Sequence, residues 1–309
     1  MPANASPAGA LPARFRRPRV LIAGYGDVGQ RVARLLPARV RVLALNADAA
    51  RAPALRAQGV QPLAGDLDDA ASLRRLAGLA TRVLHLAPPP GDGAGDPRSA
   101  ALLRALALRA APMALVYGST SGVYGDCGGA LVAETRPLAP DTARARRRVA
   151  AEQSARAFGR LSGARVSILR IPGIYAGDRT PRERLLRGTP VLAPQDDVFS
   201  SHIHADDLAR ACIAALWRGK PQRVVHANDD SRWRMGEYFD RAADLVGLPR
   251  PPRIDRAAAR AQLPPLLLSF MSESRRLDNT RLKRELRLRL RYPTPESGLL
   301  SSTTDPARR

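Results

Sequence analysis

The sequence predicts an α/β fold, a doubly wound parallel sheet with a small, mostly helical C-terminal domain. Three observations carry that expectation. Short runs rich in valine and leucine alternate with helical patterns through the first half, as they do when strands are buried on both faces by helices. The first run passes directly into Gly24-Tyr25-Gly26-Asp27-Val28-Gly29 and then a helical pattern. Beyond about Asp229 the alternation gives way to helical segments separated by prolines.

Taken in order, Arg19–Ala23 reads as the first strand. The helix after it carries Val28, Val32, Leu35 and Leu36 on one stripe and stops at Pro37, since proline cannot continue a helix. Val40–Leu45 is the second strand, Ala52–Gln58 a helix, Val60–Leu63 the third strand, Ala71–Leu79 a helix and Arg82–Leu86 the fourth strand. Pro88–Asp96 is a loop, and Pro97 suits the first turn of the helix bearing Leu102, Leu103 and Leu106. Met113–Tyr117 is the fifth strand, Thr142–Phe158 an arginine-rich helix and Arg165–Ile171 the sixth strand. Residues 177–204 read as irregular. Asp206–Arg218 is a helix with acids at its start and Gly219 past its end, and Arg223–Ala227 a last strand. These elements divide the chain into a disordered leader over 1–17 and a dinucleotide-binding domain over 18–176, completed by about 205–228. A substrate or lid domain covers 177–204 and 229–300, and 301–309 is a disordered tail.

Composition narrows the function. The two cysteines, Cys127 and Cys212, encode no disulfide framework or thiolate metal site, and the four histidines include no i, i+4 pair beside a glutamate. No metal is expected. No stretch approaches the roughly 20 apolar residues of a membrane span, and the N-terminus has no apolar secretory core. The cytoplasm is the expected compartment. The net charge of +22 is carried almost wholly by arginine, lysine occurring only at Lys220 and Lys283. Aromatic residues are only 4% and no nucleic-acid-binding signature interleaves them with the charge. Compositional bias therefore explains the charge better than a nucleic-acid partner.

The glycine turn carries the chemistry. Gly24 would permit the tight turn, Gly26 the approach of backbone to a pyrophosphate, and Gly29 close packing of helix on strand. The phosphates would then meet unpaired N–H groups at the positive end of a helix dipole. This is the Rossmann fingerprint, and its place in a βαβ unit of the right length favours it over a simple turn. An acid at the end of the second strand would select NAD, and a nearby arginine NADP. That strand ends Leu45-Asn46-Ala47-Asp48, with Arg51 beyond. NAD and NADP both stay open, and the neutral Asn46 favours NADP.

Five further motifs follow in order. They are Gly65-Asp66-Leu67; His85-Leu86-Ala87-Pro88; Ser119-Thr120-Ser121-Gly122-Val123-Tyr124-Gly125; Arg170-Ile171-Pro172-Gly173-Ile174-Tyr175; and Ser201-His202-Ile203-His204-Ala205-Asp206-Asp207-Leu208. Together they resemble the extended short-chain dehydrogenase/reductases, the nucleotide-sugar epimerase/dehydratase group, over about Arg19 to Leu299. The resemblance implies that Asp66 and Leu67 flank the adenine and that Leu86, Ala87 and Pro88 line the ribose side. Pro172 and Gly173 would touch the nicotinamide. Thr120 would hydrogen-bond the reacting oxygen, the alternative being a satisfied strand-end hydroxyl. Ser119, Arg179 and His204 are the candidates for substrate contact.

The chain departs from that family at its centre. Members use Tyr-x-x-x-Lys on the helix after the fifth strand, the lysine lowering the phenol's pKa for proton exchange. Here the two positions, counted back from Ala150-Ala151-Glu152, hold Arg144 and Arg148, and no tyrosine lies between Gly125 and Ile174. Arginine cannot act as the base at neutral pH. Tyr124, Glu134, Asp178, His202 and His204 are the candidate substitutes, and Thr120 with Tyr124 makes the most economical relay, working best toward high pH. The run Ser272-Glu273-Ser274-Arg275-Arg276-Leu277-Asp278-Asn279 resembles the ending of an atypical branch of these proteins. An NAD(P)-dependent oxidoreductase or epimerase acting on a small molecule is the leading expectation, and a catalytically silent redox sensor the alternative. Arg144, Arg146, Arg147 and Arg148 on one helix would repel across a two-fold axis, so a monomer or weak homodimer is expected.

Overall fold

A computed structural model describes residues 17–299; the expected tail, and the expected leader apart from Arg17, lie outside the described residues. Seven strands form one parallel sheet: β1 Arg19–Ala23, β2 Arg41–Asn46, β3 Gln61–Ala64, β4 Arg82–His85, β5 Ala114–Thr120, β6 Arg165–Ile171 and β7 Arg223–His226. Their order is β7-β6-β5-β4-β1-β2-β3, and every pairing in it is parallel. The order reverses between β1 and β4, which opens a crevice at the carboxyl ends of those two strands.

Side chains alternate across the sheet and explain the near-continuous apolar runs. Val20, Ile22, Val42, Ala44, Leu84, Val116 and Leu169 face one way, into a core completed by α1 (Asp27–Leu35). Leu21, Ala23, Leu43, Val83, Leu115, Tyr117 and Ile168 face the other, into a core that includes Leu102 and Leu106. Helix α2 spans Ala52–Ala57, α3 Pro97–Ala107, α4 Ala143–Ser162 and α5 Ala205–Arg218. Helices α1 and α5 pack together on the first face, and α3 and α4 on the second. A third cluster joins Tyr175, Leu185 and Val191 to Tyr238, Phe239, Ala242 and Ala243 of α6 (Met235–Val246).

The elements depart from expectation in instructive places. Ala71–Leu79 holds only a 3-10 turn, Ser72–Leu76. The fifth strand runs three residues beyond Tyr117, because Gly118, Ser119 and Thr120 pair with Leu169, Arg170 and Ile171 of β6. The 177–204 stretch is less irregular than expected: it holds a helical turn at Arg182–Leu186 and short strands at Val191–Leu192 and His202–His204. The latter two pair with Arg253–Ile254 and Gly173–Tyr175. Among the described residues no helix is long and apolar enough to cross a membrane.

The four arginines of α4 do not all share one exposed face. Arg147 is buried and donates to the Gly93 carbonyl. Arg148 donates to the Tyr117 hydroxyl and the Gly118 carbonyl, and Arg146 to carbonyls of Pro140 and Asp141. Arg144 faces a cavity. Arg147 and Arg148 are thus turned into the fold, while Arg144 and Arg146 stay exposed on the helix.

Candidate active site

The three glycines at the β1–α1 turn do three different things. Gly24 has φ +94°, and a Cβ there would stand 2.7 Å from the carbonyl carbon of Leu86 and 2.8 Å from Ala87 Cα. It is held against the end of β4 at the switch point. Gly26, the N-cap of α1, faces open space: a Cβ there would meet nothing within 4 Å. At Gly29 a Cβ would press on the Gly24 carbonyl at 3.0 Å and on Ile22 at 3.3 Å, so its absence lets α1 lie close on β1. No side chain caps α1, which leaves its first N–H groups for an anion.

One cavity of about 460 Å³ opens at this turn. Gly24, Tyr25, Gly26, Asn46, Arg51, Asp66, Leu67, Leu86, Ala87 and Pro88 all line it, while Asp27, Val28 and Gly29 form the first turn of α1 beside it. Asn46 ends β2 as expected. Asp48 is engaged in capping the next turn, accepting from Ala50 N–H at 2.9 Å. Arg51 reaches only the Tyr25 carbonyl, at 3.4 Å. A second cavity, about 480 Å³, is lined by Thr120, Pro172, Gly173 and Arg179, together with Arg144, Arg184, Phe270, Glu273 and Arg275. The two cavities hold the two sets of residues that the motifs assign to the two halves of a dinucleotide.

Asp27 places a carboxylate at the helix end where phosphates would arrive, and two arginines answer it. Arg31, nearly buried, donates to Asp27 at 2.8 Å, to Asp206 at 2.6 Å and to Asp178. Arg179 approaches Asp27 at 3.4 Å. Burial opposes the Arg31 charge, but the carboxylates around it outweigh that and raise its pKa.

Thr120 ends β5 at the cavity, where its hydroxyl oxygen accepts from Gly122 N–H at 3.2 Å. Its proton is left to donate outward. Three other expected contacts are corrected. Ser119 alternates to the face of Leu115 and Tyr117, where its hydroxyl donates to Glu152 of α4 at 2.6 Å. His204 is the N-cap of α5: its Nδ1 accepts from Asp206 N–H at 3.1 Å and its ring stacks on Tyr292 at 3.7 Å. Both are buried and committed to the fold.

Tyr124 is the third. The 3-10 turn Ser121–Tyr124 folds the chain back after Thr120 and buries the phenol. Its hydroxyl meets Arg170 at 2.6 Å and His226 Nε2 at 2.6 Å, outside the cavity. Burial pushes its pKa up to about 12 against the pull of Arg170, the reverse of what a proton relay requires. Of the remaining substitutes, Glu134 accepts from His226 N–H and sits by Arg281 at 3.4 Å, while Asp178 pairs with Arg31. Only His202 lines the cavity, stacked on Tyr238 at 4.1 Å and pushed down to about 3 by burial.

The group that sequence reasoning missed is Glu273. Its Oε2 and the Thr120 Oγ lie 3.8 and 3.7 Å from the same point, the site a Cβ on Gly122 would occupy. Arg275 binds its carboxylate at 2.7 Å. Arg144 stands in the same cavity with its guanidinium 4.6 Å from the centre of the Phe270 ring.

Buried imidazoles set a pH expectation. Burial depresses His85 to about 4 and His202 and His226 to about 3, against about 6.5 in the unfolded chain. Their contribution to stability is present above about pH 6.5 and is lost as the pH falls through the folded values. Asp229, raised by burial to about 7, acts oppositely between about pH 4 and 7. Glu134 and Asp197, also raised by burial, act in the same sense as Asp229, while His204, lowered by burial, acts with the other imidazoles. The melting temperature should fall steadily from pH 6.5 to 4. A flat profile across that window would show that water reaches these rings.

A parallel sheet in this order, with a glycine turn and an uncapped helix end at its switch point, defines a dinucleotide-binding protein of the Rossmann type. The sequence over residues 20–227 matches the family model for the NAD dependent epimerase/dehydratase family, and the chain belongs to that family. It is similar to a conserved protein of unknown function from Silicibacter pomeroyi, at 34% identity over 93% of this chain and 98% of that one, with a TM-score of 0.78. It is also similar in fold to the dTDP-glucose 4,6-dehydratase DesIV of Streptomyces venezuelae, solved with NAD bound, at 22% identity over 92% and 95% of the two chains and a TM-score of 0.74. The UDP-glucose 4-epimerase of Thermotoga maritima, solved with UDP-glucose, gives 19% identity, 92% and 97% coverage and a TM-score of 0.75. No curated protein matches the chain by sequence.

Proposed function

We propose that the protein is an NAD(P)-dependent oxidoreductase or epimerase acting on the carbinol or carbonyl of a small molecule, nucleotide sugars included. The observation that carries this reading is the continuity of the site: the glycine cradle, the adenosine-side cavity and the cavity at Thr120 lie along the carboxyl edge of one sheet. The cradle fits a pyrophosphate, because Gly26 faces open space and α1 has no side-chain cap. NADP suits the end of β2 better than NAD, since Asn46 is neutral and Arg51 lines the same cavity. The nicotinamide, when bound, accepts or returns a hydride.

The protein's own part is to hold the reacting oxygen and move its proton. Thr120 donates to that oxygen. Glu273 is the carboxylate beside Thr120 and exchanges the proton that the family's tyrosine would otherwise carry. A second reading, a nucleotide-binding sensor without turnover, is favoured by Arg144 and Arg148 in the tyrosine and lysine positions. The two readings separate in one experiment. The protein loaded with NADP or NAD is offered UDP-glucose, dTDP-glucose, UDP-glucuronic acid and simple aldehydes or alcohols, and nicotinamide absorbance and product mass are followed. Turnover that falls at least about 100-fold in Glu273→Gln, with dinucleotide affinity unchanged, is the expected result. Tight nucleotide binding with no conversion of any of these would favour the sensor, and turnover undiminished in Glu273→Gln would remove Glu273 from the chemistry.

A further inference from the structure

The second cavity carries more positive charge than its own carboxylates can answer. Arg144, Arg179, Arg184 and Arg275 line it against a single acid, Glu273. Arg275 is bound to Glu273 at 2.7 Å, and Arg179 approaches Asp27 at 3.4 Å. Arg184 lies 4.0 Å from the centre of the Phe239 ring and donates only to the Pro190 carbonyl, at 3.4 Å. Burial brings its pKa down to about 10. Arg144 makes no hydrogen bond among the described residues; its exposed side chain rests against Phe270, and partial desolvation lowers its pKa more than nearby Glu273 restores it.

An exposed guanidinium with no carboxylate in contact keeps its full charge and is free to pair with an arriving anion. Arg144 occupies this state beside Thr120, where the reacting oxygen would sit. Its guanidinium rests 4.6 Å from the centre of the Phe270 ring, and its planar fork matches a carboxylate in a bidentate pair. A neutral sugar ring placed there would leave the cation unanswered.

We infer that Arg144 is a specificity residue that binds a carboxylate on the substrate, next to the carbon that reacts. The substrate class is then a hydroxy or oxo acid, either a small free acid or a uronate. This rests on the reading of the cleft as a dinucleotide site and narrows what that site accepts. Arg184, farther along the wall, adds to the positive potential that draws such an anion in.

The test uses the full chain with NADPH or NADH bound, so that hydroxy compounds cannot be oxidised and a titration reads binding alone. Calorimetry compares two pairs, lactate against 1,2-propanediol and glucuronate against glucose. At least one acid should bind about tenfold or more tightly than its neutral partner. Arg144→Met should erase that preference, and Arg144→Lys should retain part of it. Preference confined to lactate indicates a free hydroxy acid, and preference confined to glucuronate a uronate. The inference is overturned if neither acid is preferred, or if the preference survives in a folded Arg144→Met protein. Affinity for NADPH and NADH is measured separately in every variant, the tighter one being used: a wild type that binds neither refutes the dinucleotide reading instead.

Discussion

The Gly26→Val protein should fold as the wild type does and bind NAD(P) at least about 100-fold more weakly, a loss of about 2.7 kcal/mol. The two halves of this expectation have separate grounds. Gly26 takes φ −92° and ψ −155°, an extended conformation that does not depend on glycine, and a Cβ there meets no protein atom within 4 Å. The fold therefore has room for the side chain. The empty space is the approach path of a pyrophosphate to the first turn of α1, and two methyl groups would block it. Melting curves and calorimetry on the same sample check both halves. Unchanged affinity in the folded variant would refute the cradle. Gly24→Val is no substitute for this test, because at φ +94° and against the Leu86 carbonyl the change would disturb the fold itself.

Glu152→Ala should be among the most damaging single changes at a buried polar residue, costing about 3–5 kcal/mol of stability. Arg170 and Glu152 are both almost fully buried. They form a two-pronged pair, Nη2 to Oε2 at 2.7 Å and Nε to Oε1 at 3.1 Å, and Glu152 also accepts from Ser119 at 2.6 Å. Removing the carboxylate leaves a charged guanidinium in the interior with only Tyr124 and a Glu134 carbonyl to hold it. Glu152→Gln keeps hydrogen-bonding atoms and should cost less. Urea unfolding of the two variants measures the difference, and a loss under about 1 kcal/mol for the alanine variant would mean that water already reaches Arg170.

The parts of this molecule that were legible in the sequence are those fixed by local chemistry. The strand runs are apolar because both faces of the sheet are covered, and Gly24, Gly26 and Gly29 fall within six residues at the passage from β1 into α1. The residues from Asn46 to Pro88, most of them assigned to the adenosine side by the family resemblance, line one cavity at the strand ends. What failed was the direction of individual side chains. Once β5 extends to Thr120, strict alternation turns Ser119 under α4, whereas the sequence suggested an end at Tyr117. Tyr124 looked like the nearest phenol to the chemistry, but the turn after Thr120 carries it into a buried contact with Arg170 and His226. His204 had the chemistry of a ligand and the position of a helix cap, and the position prevailed. Glu273 and Phe270 come to Thr120 and Arg144 only through the packing of the C-terminal segment, which no local pattern encodes. The motif at 272–279 marked the segment without showing where it lies.

Arg31 has a mechanical consequence beyond its charge. Its three carboxylates belong to the first turn of α1, to the turn after Tyr175 and to the first turn of α5. One side chain thus ties the pyrophosphate-binding helix end to the chain that leads into the second cavity. Were that chain to swing as a hinged flap, the swing would have to begin beyond Asp178 or break these contacts. The spacing between the two halves of the cleft is therefore set before any ligand arrives. In the proposed complex a dinucleotide laid across the cleft would find both ends already placed, and little of its binding energy would be spent on ordering the protein.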